Sequence, residues 1–149
     1  MTAEVDVPTV DFLILADHAE AINGKMYLMG GGWDSRQVQD FAQPVPITIA
    51  AAVMVPWNAT NQRHQLRLRV EDADGHQLAE VKVEFTTGRP PQLSVGMLQR
   101  VPLAFQQIPI RLPGPGVYVI VAEINGRDDK RIVFTAALAA GKSSNPQAA

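Results

Sequence analysis

Hydrophobic residues fall along this chain in short runs, broken at brief intervals by eleven glycines and eleven prolines, and no stretch sustains a 3.6-residue apolar period. Runs rich in Val, Ile, Leu and Phe between turn residues predict strands. The spacing places them at Val10–His18, Lys25–Gly30, Pro46–Val55, Gln65–Glu71, Leu78–Phe85, Leu93–Leu98, Ile108–Leu112, Gly116–Ile124 and Lys130–Ala136. Seven to nine such strands make an all-β domain, and the expected architecture is an antiparallel β-sandwich of immunoglobulin-like type. The domain is expected to span 10–136, after an N-terminal extension over 1–9. Residues 137–149 lack periodicity and end in Gly, Ser, Asn, Pro and Ala, which predicts a disordered tail.

Asn23-Gly24, Asp74-Gly75 and Asn125-Gly126 each sit between two runs and predict hairpins, because a two-residue turn needs positive φ at both central positions. Around the middle turn, Leu66, Leu68 and Val70 alternate with Gln65, Arg67 and Arg69, and Ala79, Val81, Val83 and Phe85 alternate with Glu80, Lys82 and Glu84. Such alternation gives one packed and one wet face. A two-residue loop would set Arg67 opposite Lys82, whereas a four-residue loop, Asp72 to Gly75, would set Arg67 opposite Glu80. Like charges directly opposite are unfavourable, so the longer loop is expected.

Other strands are apolar on both faces: Phe12-Leu13-Ile14-Leu15, Ile47 to Val55, and Val117 to Ala122. These must lie centrally or be covered by another layer, and the small side chains of Ala50-Ala51-Ala52 suit close approach. Gly114-Pro115-Gly116 precedes Tyr118, whose hydroxyl is placed to tie strand to loop as in an immunoglobulin-like corner.

Composition narrows the chemistry. The chain has 149 residues, no cysteine, three histidines and a formal charge of −2. The length suits one domain with a real core. Without cysteine there is no disulfide scaffold, Cys-ligated zinc or thiol catalysis. A pI near 5.9 argues against a phosphate-binding surface, so no nucleic acid partner is expected. Met1–Thr9 resembles no signal peptide and Pro44–Trp57 is too short and proline-rich for a membrane span, so a cytoplasmic protein is expected. Charged residues make up 19%, against roughly 25% in an average domain.

Few motifs suggest chemistry. Gly30-Gly31-Gly32-Trp33-Asp34 could let a backbone approach a ligand, with Trp33, and elsewhere Trp57, as stacking faces; glycines more often bend a strand as it leaves a sheet. Gly141-Lys142-Ser143 ends like a phosphate loop, but Ala136 stands where the first glycine should be. Asp72 and Asp74 are candidate calcium ligands, although Val70 and Val81 fall where an EF-hand needs carboxylates, and a polar turn is the plainer account. His18, His64 and His76 have no metal-ligand spacing. Asp17-His18 is the only adjacent acid–imidazole pair, but neighbouring strand residues point to opposite faces. No cofactor is expected.

Ala16-Asp17-His18-Ala19, Gly24-Lys25, the Gly30–Asp34 block, Glu71–Gly75 and Pro115–Tyr118 together resemble an uncharacterised family of small bacterial proteins common in actinobacteria. The resemblance covers about Val10 to Ala136 and implies a compact β-domain that stands alone, with no activity to carry over. The expected function is a non-catalytic binding or structural module that self-associates or docks into a larger assembly, because the two-faced apolar strands leave surface to cover. The alternatives are a sandwich that binds a carbohydrate or lipid headgroup through Trp33 and Trp57, and a hydrolase built on Asp17, His18 and Asp34.

Overall fold

The chain forms ten strands in the computed structural model, which describes residues 7–140: β1 (Thr9–Ala16), β2 (His18–Ile22), β3 (Lys25–Met29), β4 (Ser35–Val38), β5 (Val45–Pro56), β6 (Arg63–Asp72), β7 (Gln77–Thr86), β8 (Leu98–Ile110), β9 (Gly116–Ile124) and β10 (Arg127–Leu138). They form a three-stranded sheet ordered β1-β5-β8, a five-stranded sheet ordered β4-β10-β9-β6-β7, and the separate hairpin β2-β3. The two larger sheets share one core, to which β5 contributes Ile47, Ile49, Ala51 and Val53, and the facing sheet Leu66, Leu68, Ile120 and Phe134. The fold is therefore all-β, as expected.

Two expected strands are corrected. Leu93–Leu98 is a pair of turns, closed by Leu93 N–H to Pro90 O and Met97 N–H to Ser94 O, with Gly96 at φ +90°. Ile108–Leu112 is only the end of the long β8, which passes through Pro102 and Pro109; an edge strand tolerates proline because one side of its backbone needs no partner. Two short polar strands, β2 and β4, carry no apolar run. β4 pairs parallel to β10, with Ser35 opposite Thr135, so the sheets are not wholly antiparallel. β1 begins at Thr9 and β10 runs to Leu138, so the expected tail starts two residues later than 137, and its positions 141–149 lie outside the described residues.

Asn23-Gly24 and Asn125-Gly126 both have positive φ at each position and close two-residue hairpins. The middle hairpin differs from either expected loop. Asp72 N–H donates to His76 O across a three-residue loop with Gly75 at φ +88°. An irregularity between Val70 and Glu71 then restores the register that sets Arg67 opposite Lys82 and Arg69 opposite Glu80. The like-charge pair is harmless because Arg67 reaches diagonally to Glu80 at 2.6 Å and across to Glu123 on β9 at 2.8 Å. The hydroxyl of Tyr118 donates to Gly114 O, as the corner predicts, and its ring stacks on Phe134.

β5 is buried on both faces. Its core face meets the five-stranded sheet; Thr48, Ala50 and Ala52 lie on the other, in register with Ile14 and Phe12 of β1. The β2-β3 hairpin folds back over this second face and packs on β5 and β8. Ala19 is fully buried there, and Leu28 comes beside Ile14 where both approach Gly31. The cover that the two-faced strands require is supplied, at this point, by the chain itself.

Candidate functional site

The hairpin that covers one apolar face presents another. Cross-strand partners share a face, so His18 with Met29, Glu20 with Tyr27 and Ile22 with Lys25 lie on one side of the hairpin, where all but the half-buried His18 are exposed. Met29 is 68% exposed, Tyr27 51% and Ile22 45%, and with Leu28 they line an open groove whose polar edge is His18 and Glu20.

Three local devices position this hairpin. Asn23-Gly24 closes it. Behind it, Gly30 at φ +62° lets the chain turn back to β1: Asp17 N–H donates to Met29 O at 3.0 Å, and Gly32 N–H to Leu15 O at 2.7 Å. A side chain at Gly30 would set its Cβ 2.2 Å from Asp17 Oδ2. The third device is a bulge in β8, where Gln106 and Gln107 together oppose Thr48, and Gln107 adopts φ +48°. The bulge aims Gln106 at the hairpin. Its Oε1 accepts from Ala19 N–H at 3.1 Å and from Thr48 Oγ1 at 3.2 Å, and its Nε2 lies 2.8 Å from His18 Nδ1. His18 Nε2 meets Glu20 Oε2 at 2.9 Å.

The residues singled out from sequence do not converge. Gly30, Gly31 and Gly32 serve the return of the chain to β1. Trp33 lies edge-on to Phe134 at 5.7 Å under the Arg36 guanidinium, and Asp34 O accepts from Thr135 N–H beside β4. Trp57 stands in a separate 3₁₀ turn, Trp57–Ala59, capped by the Arg89 guanidinium 3.6 Å from its ring centre. The two indoles share no neighbour among these contacts. His18 bonds to Glu20 and Gln106 rather than to Asp17 or Asp34.

Asp72, Asp74 and His76, the last not suggested by the sequence, bring one ligand-capable atom each within 4.8 Å of one another. Asp72 Oδ1 accepts from Asp74 N–H and His76 N–H, both at 2.9 Å, and Oδ2 lies 3.2 Å from His76 Nδ1. The His76 backbone N–H, and after it the His76 ring and the Asp74 N–H, hold the Asp72 carboxyl below the usual carboxylate range. Both oxygens already do the work of a turn-closing side chain.

The outer face of the five-stranded sheet is chemically opposite to the hairpin. Arg69 bonds Glu71, Glu123 and Asp128 at 2.8–2.9 Å, while Arg67 bonds Glu80, Glu123 and Gln77. The hydrogen bonds that Arg69 donates to Asp128 and then to Glu71 raise its pKa, and the one that Arg67 donates to Glu80 leads in raising that of Arg67. In return, Asp128 and Glu80 are held below the usual carboxylate range by Arg69 and Arg67. The charges here are spent on one another.

Sequence reasoning missed Gln106, whose role depends on a bulge, and Ile22, Tyr27 and Met29, whose exposure depends on which face of the hairpin is covered. A Tyr and two Met within five residues of a short predicted strand was the available signal.

A family model described as "Family of unknown function (DUF6941)" matches residues 11–137. No curated protein matches this sequence. Among solved structures, the chain is similar to a Pseudomonas fluorescens alkylpurine DNA glycosylase, AlkC, bound to DNA containing an abasic site analog, at 11% identity and a TM-score of 0.44. The match covers 87% of this chain but only 30% of that one. No described helix is long and apolar enough to cross a membrane.

Proposed function

The chain belongs to the DUF6941 family, and because that family has no known function we propose, from geometry alone, that the protein is a non-catalytic binding module. It docks to a second copy of itself, or into a larger assembly, through the outer face of the β2-β3 hairpin. The observation that carries this reading is the contiguous exposure of Ile22, Tyr27 and Met29 on a hairpin whose other face is already used. Scattered exposed apolar residues are ordinary, but a cluster rimmed by polar groups marks an interaction surface, and Tyr and Met are enriched in such surfaces. The scaffold is read as an immunoglobulin-like sandwich, supported by the Tyr118 corner and the core shared between two sheets.

The alternatives draw less support. Each indole already packs on a protein group, which leaves no paired aromatic platform for a sugar or headgroup. A hydrolase would need His18 to face a nucleophile, yet both its ring nitrogens are engaged.

Light scattering coupled to size exclusion, with capture from a native lysate, tests the proposal. The wild type is expected to associate or to retain a partner, and the double variant Tyr27→Glu, Met29→Glu to lose that while keeping its melting transition. A wild type that stays monomeric at micromolar concentration and retains nothing from the lysate overturns it.

A further inference from the structure

We propose that the protein forms a twofold dimer in which the free edge of β3 pairs antiparallel with β3 of a second copy, joining two β2-β3 hairpins into one four-stranded sheet. The inference rests on the reading of this hairpin as a docking element, and it names the partner and the contact.

The turn fixes which backbone groups are free. Asn23 and Gly24 both have positive φ, so Ile22 and Lys25 flank a type I′ turn as a hydrogen-bonded pair. Pairs alternate along an antiparallel ladder, so in Ala19–Leu28 and Ala21–Met26 the N–H and C=O groups turn away from the other strand. On the β2 side, the Ala19 N–H accordingly donates to Gln106 Oε1 on β8. On the β3 side no strand pairs with the edge, and no other hydrogen bond among the described residues engages Met26 or Leu28. Free edges invite strand pairing, and sheets block it with charge, proline or a bulge. β7 alternates Glu80, Lys82 and Glu84, β8 contains Pro102 and Pro109, and β1 is bulged between Val10 and Phe12. From Met26 to Met29, β3 has none of these devices, and its Tyr27, Leu28 and Met29 are exposed.

One register uses this edge fully. With Tyr27 opposite the second copy's Tyr27, Met26 meets the second copy's Leu28 and Leu28 meets its Met26, and each pair exchanges both main-chain hydrogen bonds. Sliding one strand by two residues instead brings Gly24 or Gly30 into the ladder, and both have positive φ and lie outside the strand. The side chains are self-complementary in the same register. Lys25 comes opposite the second copy's Met29, so no like charges face each other; the two Tyr27 rings meet at the axis, and Met26 lies beside Leu28 on the other face. A second copy therefore supplies an acceptor for every free donor on the edge and an apolar neighbour for each exposed apolar side chain of β3.

The chain has no cysteine, so single cysteine substitutions report the register directly. Non-hydrogen-bonded partners on antiparallel strands lie about 4.5 Å apart at Cα, within disulfide reach. Under mild oxidation of the full chain, Tyr27→Cys is expected to form a covalent dimer about tenfold faster than Lys25→Cys or Met29→Cys alone. Those two positions face each other rather than themselves, so a mixture of the two variants should form the mixed dimer at the faster rate. Met26→Pro removes an outward N–H and spares the β2 ladder; light scattering should find it monomeric where the wild type is a dimer, with its melting transition kept. Equal cross-linking rates for the three single variants, or a folded Met26→Pro protein that remains dimeric, overturns the inference. If the Tyr27→Glu, Met29→Glu variant nevertheless loses association, docking through the outer face of the hairpin stands without the edge pairing. A wild type that is monomeric, with Tyr27→Cys cross-linking no faster than the others, also overturns the inference and leaves the outer face to a different protein.

Discussion

The β6-β7 and β2-β3 hairpins are both antiparallel pairs closed by a turn with a left-handed glycine, and they present opposite surfaces. In β6-β7 the apolar residues alternate inward and the outward positions carry a network of arginines and carboxylates. In β2-β3 the face toward the sheet carries the fully buried Ala19 and the half-buried Met26, while Leu28 reaches the exposed edge, and the outward positions include Ile22, Tyr27 and Met29. The first hairpin is part of a sandwich wall. The second is a cover for the back of the other wall, and a cover has an outer face of its own. The difference teaches that burying surplus apolar surface by an intrachain layer moves the exposed patch rather than removing it.

The largest test of that contrast is Leu68→Ala, on the inward face of β6. Leu68 is 1% exposed and lies in the shared core, so its truncation is expected to cost about 2–5 kcal/mol of unfolding free energy, read from a urea titration. Residues of the β2-β3 outer face should not approach this. A loss of similar size there would mean that the hairpin belongs to the core and the contrast is wrong.

Next in size is the hinge behind the hairpin. Gly30→Ala must hold φ +62° and push aside the Asp17 carboxylate, for an expected cost of about 1–3 kcal/mol. Gly24→Ala, at φ +76° with open space around it, carries only the backbone strain and should cost about 1 kcal/mol. The difference between the two isolates the close return of the chain to β1; equal costs would show that the Asp17 contact yields freely.

How much of this was legible in the sequence follows from the same contrast. β6, β7, β9 and β10 announce themselves by alternation or by turn pairs such as Asn125-Gly126, because their residues answer to one local rule. β2 and β4 do not, since His18-Ala19-Glu20-Ala21 and Ser35-Arg36-Gln37 acquire strand geometry only from partners elsewhere. β8 was hidden by Pro102 and Pro109, which local propensity counts against a strand but an edge accepts. The Gly30–Asp34 block was recognised as unusual, and the structure makes it the return of a hairpin. The register of the middle hairpin escaped because like-charge avoidance between two strands ignored Glu123 on a third. In each case the missing information was the identity of a neighbour distant in sequence.

On the charged wall, Arg69→Met leaves Glu71, Glu123 and Asp128 facing one another without their common donor. The expected cost is about 1–2 kcal/mol at neutral pH. The pH dependence gives the sign. Asp128 is depressed in the folded state by Arg69, so its contribution is present above the ordinary carboxylate range and is lost as pH falls through its lower folded value. In Arg69→Met the leading cause of that depression goes, with only the weaker pull of Arg131 and Arg67 left, so the gap between the wild-type and variant urea midpoints should narrow on acidification below about pH 4. A gap that holds constant into acid would show that the arginine stabilises by packing its stem rather than by charge.

The smallest effect on stability is the one that separates the two surfaces most cleanly. Tyr27 is half exposed and no described hydrogen bond engages its hydroxyl, so Tyr27→Ser should change unfolding free energy by no more than about 0.5 kcal/mol. If the hairpin's outer face is a docking surface, the same variant should weaken association, because a desolvated aromatic ring at an interface centre is where binding energy concentrates. Stability and association are thereby pulled apart by one side chain: Leu68→Ala moves the first, and Tyr27→Ser the second. Were Tyr27→Ser to leave both unchanged, the exposed apolar cluster would be an incidental consequence of covering β5, and the binding surface would have to be sought on another face of the molecule.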